Sequence, residues 1–387
     1  MVWHQFSQEH STASRDANKT ERDAKVGLAT RAERNSVHPR LRSGHASLRR
    51  GTKREATDNM NPVHRLALSV AQKGESRHQQ ALDRLGRLTG FRMPNSKNTR
   101  HILMIHGWLR GNLGDACIEA VVLQTLGKNF TVDVVAYPFA PFEADITQAF
   151  HDYDAVVVAP GGGIQNANDM RAKHILRDVI YCAANNIPCM FASHSFDPMY
   201  ADLLPEKCKV FCREPVSHRL LPGSILTADL AWLQAVPVMK RREGHLVFLR
   251  HDNYSDLNRR GDTLFAQDTP IVDVGPDTRL CSSDWDRDSL ETRSGLLSLP
   301  FVRCDTLEAL LQVIGRARRV SSDRYHPAIF ARMMGCETEF LARKNCSRDM
   351  GLLEQLTMPL DELQSLAAAG LNELVAEIHR SRKIKML

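Results

Sequence analysis

The chain has 387 residues, 43% hydrophobic and 25% charged, which is more than one core usually fills and predicts two domains with extensions. Its net charge of +6 is concentrated in residues 1–60, where 12 Lys or Arg face 7 Asp or Glu, so the remainder lacks the charge of a nucleic-acid binder. No apolar run approaches the roughly 20 residues that span a bilayer, the amino terminus has no secretory core, and nine cysteines form no C-x-x-C pair; reduced thiols and a cytoplasmic location are expected.

Residues 1–60 are rich in Arg, Ser, Thr, Asn and His and are expected to be a disordered basic tail, with the natural start of the chain conceivable near Met60. Residues 61–99 form a helical segment: Val63, Leu66, Val70, Leu82, Leu85 and Leu88 recur at helical spacing. Residues 100–240 then alternate strand and helix. Strands are expected at His101–His106, Val132–Ala136, Ala155–Ala159, Cys189–Ser193 and Val210–Cys212, with helices at Ala116–Leu126 and Met170–Ala184. A second alternating unit, 241–345, has strands at His245–Arg250, Pro270–Val274, Leu297–Val302, Arg319–Ser322 and Glu337–Leu341. Its helices are Leu307–Ala317, capped by Asp305, and a short one with Pro327 at its first position that Gly335 ends; helices fill 346–387. This alternation predicts an α/β protein with two parallel sheets covered on both faces.

Ligands in such folds bind beyond the carboxyl ends of the strands, often against a helix N-terminus. Five segments sit there. Gly111-Asn112-Leu113-Gly114-Asp115 joins a strand to a helix, its glycines permitting close backbone approach; Asp115 either faces the ligand or caps the helix. Gly161, Gly162 and Gly163 make a bare backbone floor, more glycine than a tight turn needs. Ser193 and His194 line the next strand end, where an acceptor could bind, although Ser and Asp before Pro are also ordinary turn formers. Arg213 leaves a further strand, and its plainer role is an ion pair with Glu214 or Asp229. Arg324, Tyr325 and His326 follow the Arg319–Ser322 strand, where the arginine offers a planar fork to an anion and the histidine carries a proton near neutral pH; an ion pair and a helix cap are the plainer alternatives. Asp229 either orients Arg213 or caps a turn. No H-E-x-x-H or carboxylate pair supports a metal, so none is expected.

Taken in order, G-N-L-G-D, the triple glycine, R-E-x-x-S at Arg213–Ser217, A-D at Ala228–Asp229 and S-x-R-Y-H-P-A-I-F-A through Ala331 resemble the polysaccharide pyruvyl transferase family over roughly residues 100–345. The resemblance implies two Rossmann-like domains facing a central cleft, as in GT-B enzymes, and transfer of the pyruvyl group of phosphoenolpyruvate to sugar hydroxyls as a ketal. It implies Arg213 and Arg324 as ligands for the donor's carboxylate and phosphate, and His326 as the catalytic acid or base; Asp115 matches the family's loop aspartate. No cofactor is expected beyond the donor substrate. The expected partners are phosphoenolpyruvate and a sugar, glycan or lipid-linked acceptor, and no nucleic acid; the basic tail could make peripheral contact with the cytoplasmic membrane face, its plainer alternative being a solvated tail without function. Tyr325 stands where many members carry an aliphatic residue, and Ala192–Pro198 lacks the glycines often found there, so the acceptor sugar is not legible. Two other readings remain open on the residues: a GT-B glycosyltransferase using a nucleotide-sugar, and a non-catalytic glycan- or phosphate-binding protein.

Overall fold

The structure, a computed structural model, describes residues 79–94, 100–108, 112–137, 150–164, 169–240, 242–249, 258–260, 262–265, 272–283, 287–343 and 346–381. The expected basic tail, the first part of the 61–99 helical segment and Gly111 lie outside the described residues. Helix α1 covers residues 79–89 and ends at Gly90, whose φ of +74° only glycine adopts without strain.

In the first half, strands β1 (His101–Trp108), β2 (Thr131–Tyr137), β3 (Ala155–Val158), β4 (Gly161–Ile164), β5 (Cys189–Phe196), β6 (Lys209–Cys212) and β7 (Ile225–Leu226) form one parallel sheet in the order β2-β1-β3-β5-β6-β7, with β4 also paired to β5. Consecutive strand side chains point to opposite faces. Ile102, Met104, Val132, Val157 and Phe211 therefore fill one core under helix α2 (Leu113–Asn129), while Leu103, Ile105, Val156, Val158 and Phe191 fill another under α3 (Asp169–Ala184). Both faces are apolar, so the strands read as continuous apolar runs. Short helices α4 (Pro198–Ala201) and α5 (Pro215–Leu220) each begin with a proline behind an acidic cap, Asp197 and Glu214 respectively.

The second half holds a five-stranded parallel sheet, β13-β12-β8-β14-β15, from β8 (His245–Phe248), β12 (Thr278–Ser282), β13 (Phe301–Arg303), β14 (Arg319–Ser322) and β15 (Glu337–Phe340). A small antiparallel sheet of β9 (Asn258–Arg260), β10 (Thr263–Phe265) and β11 (Val272–Asp273) stands beside it in sequence. Helices α6 (Arg287–Leu296), α7 (Leu307–Arg316) and α8 (Tyr325–Met333) complete the unit. Leu246, Phe248 and Val320 face the same core that Ile102 and Phe211 enter from the first sheet, whereas Val247, Leu249 and Leu280 line a separate one. The two sheets thus share one apolar core; full burial of Phe248 or Phe330 in it contributes about 1.5–3 kcal/mol each.

Several boundaries differ from expectation. Thr306, not Asp305, caps α7, its Oγ1 accepting from the Ala309 N–H at 3.2 Å. Helix α8 begins at Tyr325, so Pro327 is its third residue; that N–H would lack an intrahelical partner in any case, and proline costs nothing there. Helix α2 begins three residues early, which puts Gly114 and Asp115 inside its first turn. The triple glycine is strand, β4, which pairs with β5 at Gly161 with His194 and at Ile164 with Phe196.

After β15 the chain returns to the first half as α9 (Ser347–Thr357) and α10 (Leu360–Arg380). Trp232 Nε1 donates to Gln355 Oε1 at 3.1 Å, Gln364 donates to the Trp232 carbonyl, and Arg100 donates to the Ile378 carbonyl at 2.6 Å. Gly370 lies against Thr227 and Gly351 against Glu214 so tightly that a Cβ would overlap either neighbour. Among the described residues no helix is long and apolar enough to cross a membrane.

Candidate functional site

Two helix starts, one from each half, pack together where the sheets share their core. Gly114 in α2 lies directly against the His326 ring in α8; a Cβ there would overlap the imidazole, so only glycine permits the approach. The Leu113 N–H reaches across to the Ser283 carbonyl at 2.9 Å. Asn112 caps α2, its Oδ1 accepting from the Gly114 and Asp115 amides at 3.0 and 3.2 Å. Asp115 is therefore not the cap. Its carboxylate stands 3.9 Å from His326 Nδ1, and Gly161, with a φ of +141°, brings bare backbone close to its Oδ1.

On the other side of the imidazole, Nε2 lies 3.6 Å from Asp229 Oδ2 and has no hydrogen-bond partner among the described residues. Asp229 Oδ1 accepts from the Ala231 N–H at 2.8 Å, capping the single-turn helix Leu230–Leu233, while Oδ2 meets Arg213 Nη1 at 3.3 Å. Arg213 is 1% exposed, and its Nε donates to Ser195 Oγ at 2.5 Å. Its guanidinium lies 4.2 Å above the centre of the Tyr325 ring, a cation–π contact, and the Tyr325 hydroxyl is buried with no hydrogen-bond partner among the described residues. Behind Arg213, Gln355 of α9 donates to its carbonyl oxygen.

The electrostatics follow from this packing. Burial alone would raise the Asp229 carboxyl, but His326, Arg213 and the Ala231 amide hold it below the usual carboxylate range. Burial likewise opposes the charge on Arg213, and Tyr325, Asp229 and Asp115 outweigh it and hold its proton more firmly. Glu214 is pushed up by burial despite Ser217 and Arg213; it caps α5 by accepting from the Ser217 N–H at 2.8 Å and does not pair with Arg213. Burial drives the Tyr325 phenol well above its ordinary value.

The expected site residues separate into two sets. Asp115, Gly114, Gly161, Arg213, Tyr325 and His326 come together, as does Asp229, which the sequence marked only as an orienting or capping residue. Arg324 stands at the start of α8, but its Nε donates to the Leu249 carbonyl at 3.1 Å. Gly162 and Gly163 belong to β4. Ser193, at a strained φ of +48°, donates to the Ala228 carbonyl at 3.2 Å. His194 packs between Phe191 and Phe196, with neither ring nitrogen in a hydrogen bond among the described residues; burial, then Arg171 and Arg213, force its pKa well below that of ordinary imidazole. Ser195 and Gln355 carried no sequence signal beyond their types. Also unread was the buried pair of His106 Nε2 with Asp178 Oδ2 at 2.8 Å, at the end of β1. Among the described residues no group of three or more His, Cys, Asp or Glu is placed to hold a metal ion.

The family model for polysaccharide pyruvyl transferase matches residues 112–345, more than half of the chain. No curated protein matches it. Solved structures with similar topology include Anabaena Alr3699/HepE in complex with UDP-glucose, 12% identical, covering 73% of this chain and 99% of that one with a TM-score of 0.41. Another is Methanocaldococcus jannaschii UDP-GlcNAc 2-epimerase in complex with UDP-GlcNAc and UDP, 10% identical, covering 72% and 99% with a TM-score of 0.44. Identities and scores this low say nothing about activity.

Proposed function

The chain belongs to the polysaccharide pyruvyl transferase family, and from that premise we propose that it transfers the pyruvyl group of phosphoenolpyruvate to two hydroxyls of a sugar acceptor, forming a ketal in polysaccharide or exopolysaccharide biosynthesis. The observation that carries this reading is the convergence of Arg213, Asp229, His326 and Asp115 around the two abutting helix starts. A cation, an imidazole and a carboxylate that is 17% exposed supply what the reaction needs: anion binding, an acid and a base.

In the proposed sequence His326 gives a proton to C3 of the enol ether, which becomes a methyl group and leaves C2 electron-poor. A sugar hydroxyl oxygen bonds to C2 as Asp115 takes its proton. The C2–O bond to phosphate then breaks and phosphate departs with the electron pair; the oxygen of a second hydroxyl bonds to C2 as its proton passes to His326, which closes the ketal and restores the acid, and the Asp115 proton leaves with phosphate. Arg213 has Nε and Nη1 engaged by Ser195 and Asp229, so its Nη2 edge is the one for the donor carboxylate, and Arg324 is assigned to the phosphate. Exclusion of water keeps C2 from hydrolysis.

Calorimetric titration of phosphoenolpyruvate tests the donor. Arg324→Ala is expected to weaken binding about 10- to 100-fold, the range of one or two charged hydrogen bonds. Unchanged affinity there and in Arg213→Lys would remove the anion clamp from the mechanism.

A further inference from the structure

His326 lies between two carboxylates, and they are not equivalent. Asp115 Oδ1 is 3.9 Å from Nδ1, and Asp229 Oδ2 is 3.6 Å from Nε2; those separations alone do not assign their roles. Exposure and bonding do. Asp229 is 0% exposed, with Oδ1 committed to the Ala231 amide and Oδ2 to Arg213, so it has no face to offer a substrate. Asp115 is 17% exposed and stands beside the bare backbone of Gly161. A buried charge is screened less than an exposed one, so Asp229 exerts the stronger pull on the ring.

We propose that Asp229 is the positioning residue of the site, its carboxylate set 3.6 Å from Nε2 of His326 as an ion-pair partner while it accepts from Nη1 of Arg213, so that Nδ1, on the Asp115 side of the ring, is the nitrogen that delivers the proton to substrate. This rests on the pyruvyl-transfer reading for the identity of the proton acceptor, C3 of the enol, but the orientation of the ring does not. The bond balance is simple: in the doubly protonated ring Nδ1–H breaks and leaves its pair on Nδ1, C–H forms at C3 with the enol π pair, and the neutral ring that results keeps its Nε2–H on the side of Asp229. Asp229 also caps the turn carrying Trp232, which Gln355 ties to the Arg213 carbonyl. The carboxylate therefore sits where the catalytic ring, the anion clamp and the returning C-terminal helices meet. Its carboxyl, held below the usual range, is ionised at neutral pH and suited to that role.

The test is the tautomer of His326, read from long-range nitrogen–proton correlations in the nitrogen-15-labelled full chain and assigned by the resonance lost in His326→Gln. The neutral ring is expected to carry its proton on Nε2; a proton on Nδ1 overturns the proposal. Asp229→Asn should lower kcat about 100-fold, in the range of lost acid–base function, while leaving phosphoenolpyruvate affinity unchanged or tighter, because a negative charge has gone from beside the clamp. Unchanged kcat, or loss of kcat and affinity together, contradicts it. If Asp229→Asn does not fold, the wild-type tautomer decides alone. Phosphate release by the wild-type chain is read separately, so failure of the pyruvyl reading and failure of the Asp229 assignment give different results.

Discussion

Arg213 and Arg324 leave the carboxyl ends of equivalent strands, one in each half of the molecule, yet their surroundings differ. Arg213 is closed in by Ser195, Asp229 and the Tyr325 ring, with Gln355 fixing its backbone from behind. Arg324 is half-buried at a helix start that has no side-chain cap, its Nε on the Leu249 carbonyl. One arginine is built into the core as part of a network, and the other is set on its edge. Removing the first should therefore damage fold and function together, and removing the second should damage binding alone.

The largest effect falls on neither arginine but on the imidazole between Asp115 and Asp229. His326→Ala is expected to lower turnover by about 100- to 10,000-fold while leaving phosphoenolpyruvate affinity within a few-fold, as steady-state rates and calorimetry will read. Next comes stability: Arg213→Ala removes one partner of a buried ion pair and should cost about 3–5 kcal/mol in urea unfolding. Arg324→Ala should cost less than about 1 kcal/mol in the same experiment. Equal losses from the two would erase the contrast. Gln355→Ala sharpens it, since it leaves the Arg213 carbonyl and the Trp232 indole without that partner and should cost about 1–3 kcal/mol while altering only the Arg213 side of the site.

The last expected effect is a pH dependence. Burial is the leading cause that lowers the pKa of both His106 and His194. The unfolded chain binds protons that the folded chain refuses once the pH drops below about 6.5. Their contribution is thus fully present above that value and lost as pH falls toward their lower folded values, by up to about 1.4 kcal/mol per pH unit for each group. His194→Gln should flatten the stability profile between pH 6.5 and 5, measured by unfolding at stepped pH; an unchanged slope would show that His194 is not held neutral.

The sequence revealed the elements whose physics is local. Continuous apolar runs located β1, β3 and the first half of β5 because both faces of the sheet are covered, and Arg213 and His326 stood out by their place at strand ends. What it missed depends on partners distant in the chain. Gly161–Gly163 has no strand propensity, and pairing with β5 makes it a strand. Strand β12, Thr-Arg-Leu-Cys-Ser, has too few apolar residues to be seen without its neighbours β8 and β13. Gln355 lies 142 positions from the carbonyl it binds, and nothing in its own helix marks it. Asp229 was ambiguous between cap and ion pair because it is both.

The most direct test of the central claim is a phosphorus NMR time course of phosphoenolpyruvate with the purified chain and a panel of sugars. Inorganic phosphate should appear only when a suitable sugar is present, in step with a new pyruvate ketal, and His326→Ala should abolish it. Phosphoenolpyruvate left intact with every sugar, or hydrolysed at the same rate without one, would contradict the assignment.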